Sequence, residues 1–299
     1  PLIAPWTGGM SGKASSGCRV GDWGRNGKTF MSVETLEIGG QRFTLETLNL
    51  ATATRTRLDE VAAELFGLFL AREEEFGFSP DVVTEYPDVA VKGGFLDDPL
   101  GHIAARRHAA EGQDFGRIVI LTTYADRIGP ALGAAGYAAT PIVMPAGPDH
   151  TAAFSLDTGS ITGQDRTLYL EAVNEADEKI RPSFALRLLD QTGALAGGAC
   201  GSVHDLDGHR YAYLATMTLA GGLPPTTGTR LGQALWQALA RDGVRTVHLG
   251  TQTAGPFYER LGFRTTLRLV PRLRFRSGPD GQPVWHDLVM MACDLPAPH

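Results

Sequence analysis

The strand-like run Tyr211-Ala-Tyr-Leu-Ala-Thr-Met-Thr-Leu219 leads through a turn-rich stretch, Ala220 to Thr227, into Gly228-Thr-Arg-Leu-Gly232 at the start of a helical pattern. A glycine-bearing turn at a helix N-terminus gathers unpaired backbone N–H groups and the positive end of the helix dipole at one point, which suits a phosphate or pyrophosphate. Glycine is wanted there because a side chain would hold the anion off the backbone, and Arg230 adds a charge-assisted contact. Side chains able to take a proton are His204, Asp205, Glu171, His286 and Asp287, and none has a spacing that singles it out. His248 alternates with Val247 and Leu249 in a buried-type strand and reads as a core histidine. Thr251-Gln252-Thr253 stands at that strand's end, where sheets tend to place ligands. Cys18, Cys200 and Cys293 match no metal-ligand spacing, so no metal is expected.

One strand further on lies Phe257-Tyr-Glu-Arg-Leu-Gly-Phe263. With this motif the chain resembles the GNAT superfamily of N-acyltransferases, whose cofactor loop runs Arg/Gln-x-x-Gly-x-Gly/Ala and whose later helix reads Phe-Tyr-x-x-x-Gly-Phe. Setting Leu231-Gly232 on the closing pair of that loop leaves Thr227 and Gly228 in acceptable places and puts Arg230 where a glycine is usual. The resemblance covers roughly Phe184 to Leu295. It implies a β-bulge that splays two strands, with the pantetheine arm of an acyl-CoA along Met217, Thr218 and Leu219. The pyrophosphate would then lie against Thr227, Gly228, Thr229, Arg230, Leu231 and Gly232. It also implies Tyr258 beside the thioester sulfur, and a phenol with pKa near ~10 suits protonation of a thiolate with pKa near ~8.5. His204, Thr251 and Gln252 are the candidates for an acceptor pocket. No cysteine lies near the motif helix in sequence, so direct attack by the amine is expected rather than a covalent shuttle.

The elements that position these residues follow from periodicity. Val33 to Leu50 alternates around Gly39-Gly40 as a hairpin, and Leu58, Val61, Ala62, Leu65 and Phe69 recur at helical spacing in a segment running to Glu75. A helix near Leu100 to Glu111, the strand Arg117 to Thr122 and a helix ending at Gly136-Tyr137 come next. The same order returns with a helix Leu231 to Asp242, the strand Thr246 to Gly250 and a helix ending at Gly262-Phe263. Leu100-Gly101 falls on Leu231-Gly232, Leu121 on Leu249, Gly129-Pro130 on Gly255-Pro256, and Gly136-Tyr137 on Gly262-Phe263, which suggests an internal duplication. The first copy carries Asp97-Asp98-Pro99 where the second has Gly228-Thr229-Arg230, and Leu132 where the second has Tyr258. Two carboxylates repel an anion and proline lacks an amide donor, so this copy reads as degenerate. Between the copies Pro141 to Pro148 reads as a linker, followed by strands at Thr167 to Val173, Phe184 to Leu189, Ala194 to His204 and Tyr211 to Leu219. Thr266 to Arg276 and Val284 to Leu295 close the chain as two more strands.

The expected fold is α/β (α+β) with two GNAT-like domains, each a mixed, mostly antiparallel sheet flanked by helices. Residues 1–30 read as a disordered or appended leader with Met31 as a natural start, 31–145 as the degenerate domain and 146–299 as the catalytic one. A length of 299 residues accommodates two cores. A net charge of -6 gives no excess of cations to neutralise a polyanion, so nucleic acid is not an expected partner. No apolar run reaches the ~18 residues of a spanning helix; a cytoplasmic protein with no membrane partner, a monomer or homodimer, is expected. The function expected is transfer of an acyl group, most simply acetyl from acetyl-CoA or another acyl-CoA, to a primary amine of a small molecule. The competing readings are a catalytically silent acyl-CoA-binding or regulatory module and, more remotely, a nucleotide-binding α/β protein. The latter lacks the double-glycine turn after a parallel strand.

Overall fold

In the computed structural model, residues 32–75, 98, 101, 115–122, 124–144, 152–159, 167–172 and 182–296 are described. The leader and most of the helix expected near Leu100 to Glu111 lie outside these residues. Twelve strands are described: β1 (Ser32–Ile38), β2 (Gln41–Asn49), β3 (Arg117–Thr122), β4 (Ala139–Ile142), β5 (Ala152–Asp157), β6 (Thr167–Ala172), β7 (Phe184–Leu189), β8 (Leu195–Leu206), β9 (His209–Leu219), β10 (Thr246–Thr251), β11 (Arg264–Ser277) and β12 (Pro283–Asp294). The described helices are α1 (Arg55–Glu75), α2 (Ala125–Ala134), α3 (Thr227–Arg241) and α4 (Gly255–Arg260). They build two mixed, mostly antiparallel sheets flanked by helices, an eight-stranded one in the order β1-β2-β7-β8-β9-β10-β12-β11 and a four-stranded one in the order β4-β5-β3-β6.

The sheets do not divide at residue 145. The hairpin β1–β2 joins the large sheet through an antiparallel ladder from β2 to β7, while β5 and β6, from beyond residue 145, complete the small sheet. Local sequence gives the hairpin, since Gly39 and Gly40 both take positive φ in its turn, but it does not say which distant strand the hairpin pairs with. Pro141, expected in a linker, instead lies in β4 opposite Phe154. As an edge strand β4 tolerates the missing amide.

Leu58, Val61 and Leu65 of α1 bury against Leu48, Ala185 and Cys200, each contributing about 1.5–3 kcal/mol of apolar burial. The helix approaches closely because β8 carries Gly198, where a methyl group would fall 2.6 Å from Leu65 Cδ2 and 2.2 Å from the Leu186 carbonyl oxygen. On the opposite face α3 and α4 cover the main core, with Leu231, Leu235, Leu239, Phe257 and Tyr258 packed on Ala212, Leu214, Val247 and Leu249. The small sheet holds α2 on one face through Ile128 and Leu132. Its other face, through Val119, Ala153 and Tyr169, packs on Leu269, Leu273, Leu288 and Met290 of the large sheet.

The two sheets share part of their pairing pattern. In the large sheet β10, β12 and β11 follow one another by antiparallel pairing, with β9 parallel to β10. In the small sheet β3, β5 and β4 do the same, with β6 parallel to β3. Helix ends agree as well: the Tyr137 amide donates to the Leu132 carbonyl and the Phe263 amide to that of Tyr258, both at 3.0 Å. Gly136 and Gly262 hold positive φ at the matching turn.

Candidate functional site

β9 and β10 are parallel neighbours only over Tyr211–Leu214 and Thr246–Leu249. Beyond that rung β9 runs on to Leu219 paired with β8, and β10 runs on to Thr251 paired with β12, so the two strands separate into a fork. A bulge lies at the crotch: Gly201 opposes Leu214 and Cys200 opposes Thr216, leaving Ala215 as the extra, exposed residue. Past it, Met217, Thr218 and Leu219 keep β8 as their partner on one side and, among the described residues, have no strand partner on the other. Such an edge takes an extended amide-bearing ligand as an added strand. In the small sheet the one parallel pair among the described residues, β3 and β6, stays paired over its full described length, Arg117–Thr122 with Thr167–Ala172, and forms no fork, although there β6 follows β3 in the chain whereas β9 precedes β10.

The N-terminus of α3 stands at the end of this edge. Thr226 provides no side-chain cap. The Thr227 amide and hydroxyl both bond the Pro224 carbonyl, at 3.0 and 2.8 Å, which leaves the Gly228 and Thr229 amides without a protein acceptor among the described residues. Arg230 is exposed and forms no ion pair among the described residues. The last turn of α1 brings Arg72 to the same loop, its guanidinium nitrogen 3.0 Å from where a methyl group on Gly221 would sit. The side of each glycine where a side chain would stand faces apolar neighbours. A methyl group at Gly228 would lie 3.2 Å from both Leu219 Cδ1 and Phe257 Cε2, and one at Gly232 would lie 2.9 Å from Leu261 Cδ1. They let α3 pack on β9 and α4, and Leu231 is likewise core. Among the six loop residues expected to hold pyrophosphate, the amides of Gly228 and Thr229 and the side chain of Arg230 are available to do so.

Tyr258 comes from α4, a short helix whose first turn is set by Pro256 and by the Thr251 hydroxyl, which accepts the Ala254 amide at 3.1 Å. Its ring is 5% exposed and packs edge-on against Phe257 and Phe263 at 5.1 and 5.5 Å. Burial pushes the phenol above its usual range. In this state it is a proton donor and not a base.

Thr251, expected in an acceptor pocket, is thus buried with its hydroxyl engaged by the Ala254 amide ahead of α4, and Gln252 is half-buried beside it. His204 stands in register with Tyr211, at the end of the β9–β10 ladder away from the fork; its Nε2 is 2.7 Å from Ser202 Oγ and its ring stacks on Tyr211 at 5.1 Å. His248 is buried edge-on to Tyr211 with Nδ1 sealed and unpartnered among the described residues; burial, then the nearby His209, holds its pKa down. Asp205 is exposed and paired with Arg210. Asp287 is paired with Arg268; burial would raise its pKa, but the hydrogen bonds from Arg268 and the Arg272 amide outweigh that and lower it. Glu171 lies on β6, in register with Leu121.

Two cysteines lie closer to the site than sequence distance implied. Cys200 opposes Thr216 beside the bulge, and Cys293 Sγ lies 3.5 Å from where a methyl group on Gly262 would sit, at the end of α4. Both are buried. Burial raises both thiols, Cys200 to about 11, so neither offers a thiolate at neutral pH. The residues that do border the crotch, Tyr213 and the bare Gly250, were not expected. Their signal was present as Tyr213 two residues before the bulge and Gly250 at the end of a buried strand, but only the parallel register joins them.

No family model matches the chain, and no curated protein matches it. Solved structures that it resembles include the ribosomal-protein-S18-alanine N-acetyltransferase from Escherichia coli, at 22% identity and TM-score 0.29 over 38% of this chain and 70% of that one. An acetyltransferase of the GNAT family from Staphylococcus aureus Mu50 matches at 18% and 0.29 over 38% and 68%. The aminoglycoside 6'-N-acetyltransferase from Enterococcus faecium matches at 20% and 0.30 over 39% and 75%. At TM-scores near 0.3 the likeness assigns neither family nor activity to this chain.

Proposed function

We propose that the chain is an acyl-CoA-dependent N-acyltransferase that takes acetyl-CoA, or another acyl-CoA, as co-substrate and acylates a primary amine of a small molecule. The observation that carries this reading is the fork itself, in which a bulge at Ala215, an open edge at Met217–Leu219 and the amides at the start of α3 form one continuous track. A pantetheine arm carries two amides and suits the edge, while its pyrophosphate suits the helix terminus with Arg230 and Arg72. The amine nitrogen attacks the thioester carbonyl, the C–S bond breaks, the departing thiolate takes a proton from Tyr258, and the proton released by the amine passes to solvent, which returns one to the Tyr258 phenolate and so regenerates the enzyme. The unforked small sheet is the degenerate copy. Asp98 supports this, because its carboxylate accepts the Gly101 amide at 2.9 Å and thereby occupies the position aligned with the start of α3.

One observation favours a second reading, a catalytically silent acyl-CoA-binding module: the Tyr258 ring is sealed among aromatic neighbours. Free thiol release from acetyl-CoA over a pool of amines, with product masses recorded, separates the two. An N-acylated product supports the enzyme, and CoA binding with no product from any amine supports the silent module. Among the described residues no His, Cys, Asp and Glu side chains group as a metal site, and no helix is long and apolar enough to cross a membrane.

A further inference from the structure

β10 ends in a bare spot on the face of the large sheet that carries α1 and the small sheet. Thr246–Leu249 are buried, yet the next residue, Gly250, is exposed. A methyl group built on Gly250 would meet Met290 Sδ at 3.4 Å, the Tyr213 hydroxyl at 3.5 Å and Leu288 Cδ1 at 3.7 Å. These are ordinary contact distances, so the missing side chain relieves no clash. It leaves a shallow cradle instead. The cradle is continuous with the core between the sheets, where Leu288 and Met290 pack with half-buried Tyr213, Leu121 and Met144.

The position of the cradle matters because Gly250 directly follows the last rung of the parallel ladder, Leu214 with Leu249. It therefore opens beside the crotch where Ala215 bulges out. The opposite face is filled by α3 and α4, so a second substrate meets the crotch from the cradle side. We propose that the cradle holds the body of the amine acceptor, and that this body is aromatic or otherwise apolar, with the Tyr213 hydroxyl as a polar contact. The proposal rests on the reading of the fork as the acyl-CoA site. A thioether, a leucine side chain and a phenol ring reward an apolar body by removing it from water. They offer no partner to further charges on a polyamine or an amino acid, which would be left desolvated.

Calorimetric titration with CoA comes first, and absence of binding overturns the fork reading irrespective of the cradle. CoA-saturated protein is then titrated with phenethylamine, tyramine, ethanolamine, putrescine and glycine, and turnover of each with acetyl-CoA is followed by thiol release. The aryl amines are expected to bind or react at least tenfold better than the others. Gly250→Val is expected to raise Kd or KM for the aryl amines at least tenfold while CoA affinity stays within twofold. Gly250→Ala, whose added methyl sits at contact distance, is expected to fold and give a smaller increase. Equal or better handling of the polar amines overturns the proposal, as does a CoA-binding protein that binds no aryl amine. So does a Gly250→Val variant that weakens phenylacetyl-CoA but leaves the aryl amines unchanged, since the cradle would then serve the acyl chain.

Discussion

Replacing Gly232 by Asp puts a carboxylate where α3 meets α4. The added Cβ falls 2.9 Å from Leu261 Cδ1 and 3.8 Å from Met217 Cε. Because the Leu261 side chain can yield, the methyl alone costs about 1–3 kcal/mol of overpacking, partly offset by about 1 kcal/mol gained on replacing a helical glycine. Gly232→Ala is thus expected to cost about 0–2 kcal/mol. The Asp carboxylate enters an apolar contact with no hydrogen-bond donor, which adds a few kcal/mol more even if the group protonates. The total is roughly 3–5 kcal/mol. At about 2–4 °C per kcal/mol for a protein near this size, Tm should fall by roughly 6–20 °C. Thermal unfolding followed by circular dichroism measures this, with CoA titrated well below the transition. A Gly232→Asp protein with unchanged Tm and abolished CoA binding would refute the packing argument, because it would place the glycine against the anion.

Tyr258→Phe keeps the ring packing and removes the proton, so kcat is expected to fall tenfold to a thousandfold, centred on the ~10² typical of a general acid, with KM for acyl-CoA and Tm little changed. Unchanged kcat with chemistry rate-limiting would make Tyr258 structural. Arg230→Glu and Arg72→Glu should each weaken CoA binding by roughly tenfold, about 1.4 kcal/mol, with the loss shrinking as salt is raised; calorimetry at two salt concentrations checks this. Because burial lowers the His248 pKa in the folded protein, the unfolded chain binds more protons at mildly acidic pH. Its contribution to stability is full above the unfolded value of about 6.5 and is lost as pH falls through the folded value. Chemical denaturation between pH 5 and 8 should show this slope, and His248→Gln should flatten it.

Strands and helices were legible from local pattern where one face is buried. Phe184–Leu189 and Arg117–Thr122 match their expected spans, and α1, β9 and β10 differ from expectation by a few terminal residues. Their apolar alternation or helical spacing is a local property. Partner choice is not: nothing within Gln41–Asn49 says that it will pair with Phe184–Leu189 rather than with a strand of its own half. The motif Phe257–Phe263 located α4 and its turn because Gly262 must take positive φ there. The same reading does not separate the packing of Gly228 and Gly232 from a ligand role, since a glycine that admits a ligand and one that admits a neighbouring helix look alike until the Leu261 and Phe257 contacts are known. It also passed over Gly250, whose meaning depends on where a parallel ladder stops.

Hydrogen exchange with and without CoA, resolved to the strands, tests the central claim most directly. If the fork holds the pantetheine arm, CoA slows exchange at the amides of Met217–Leu219 and at Gly228 and Thr229, and leaves Arg117–Thr122 and Thr167–Ala172 of the unforked sheet unchanged. Protection confined to the small sheet, or none at β9 and the start of α3 under saturating CoA, would contradict it.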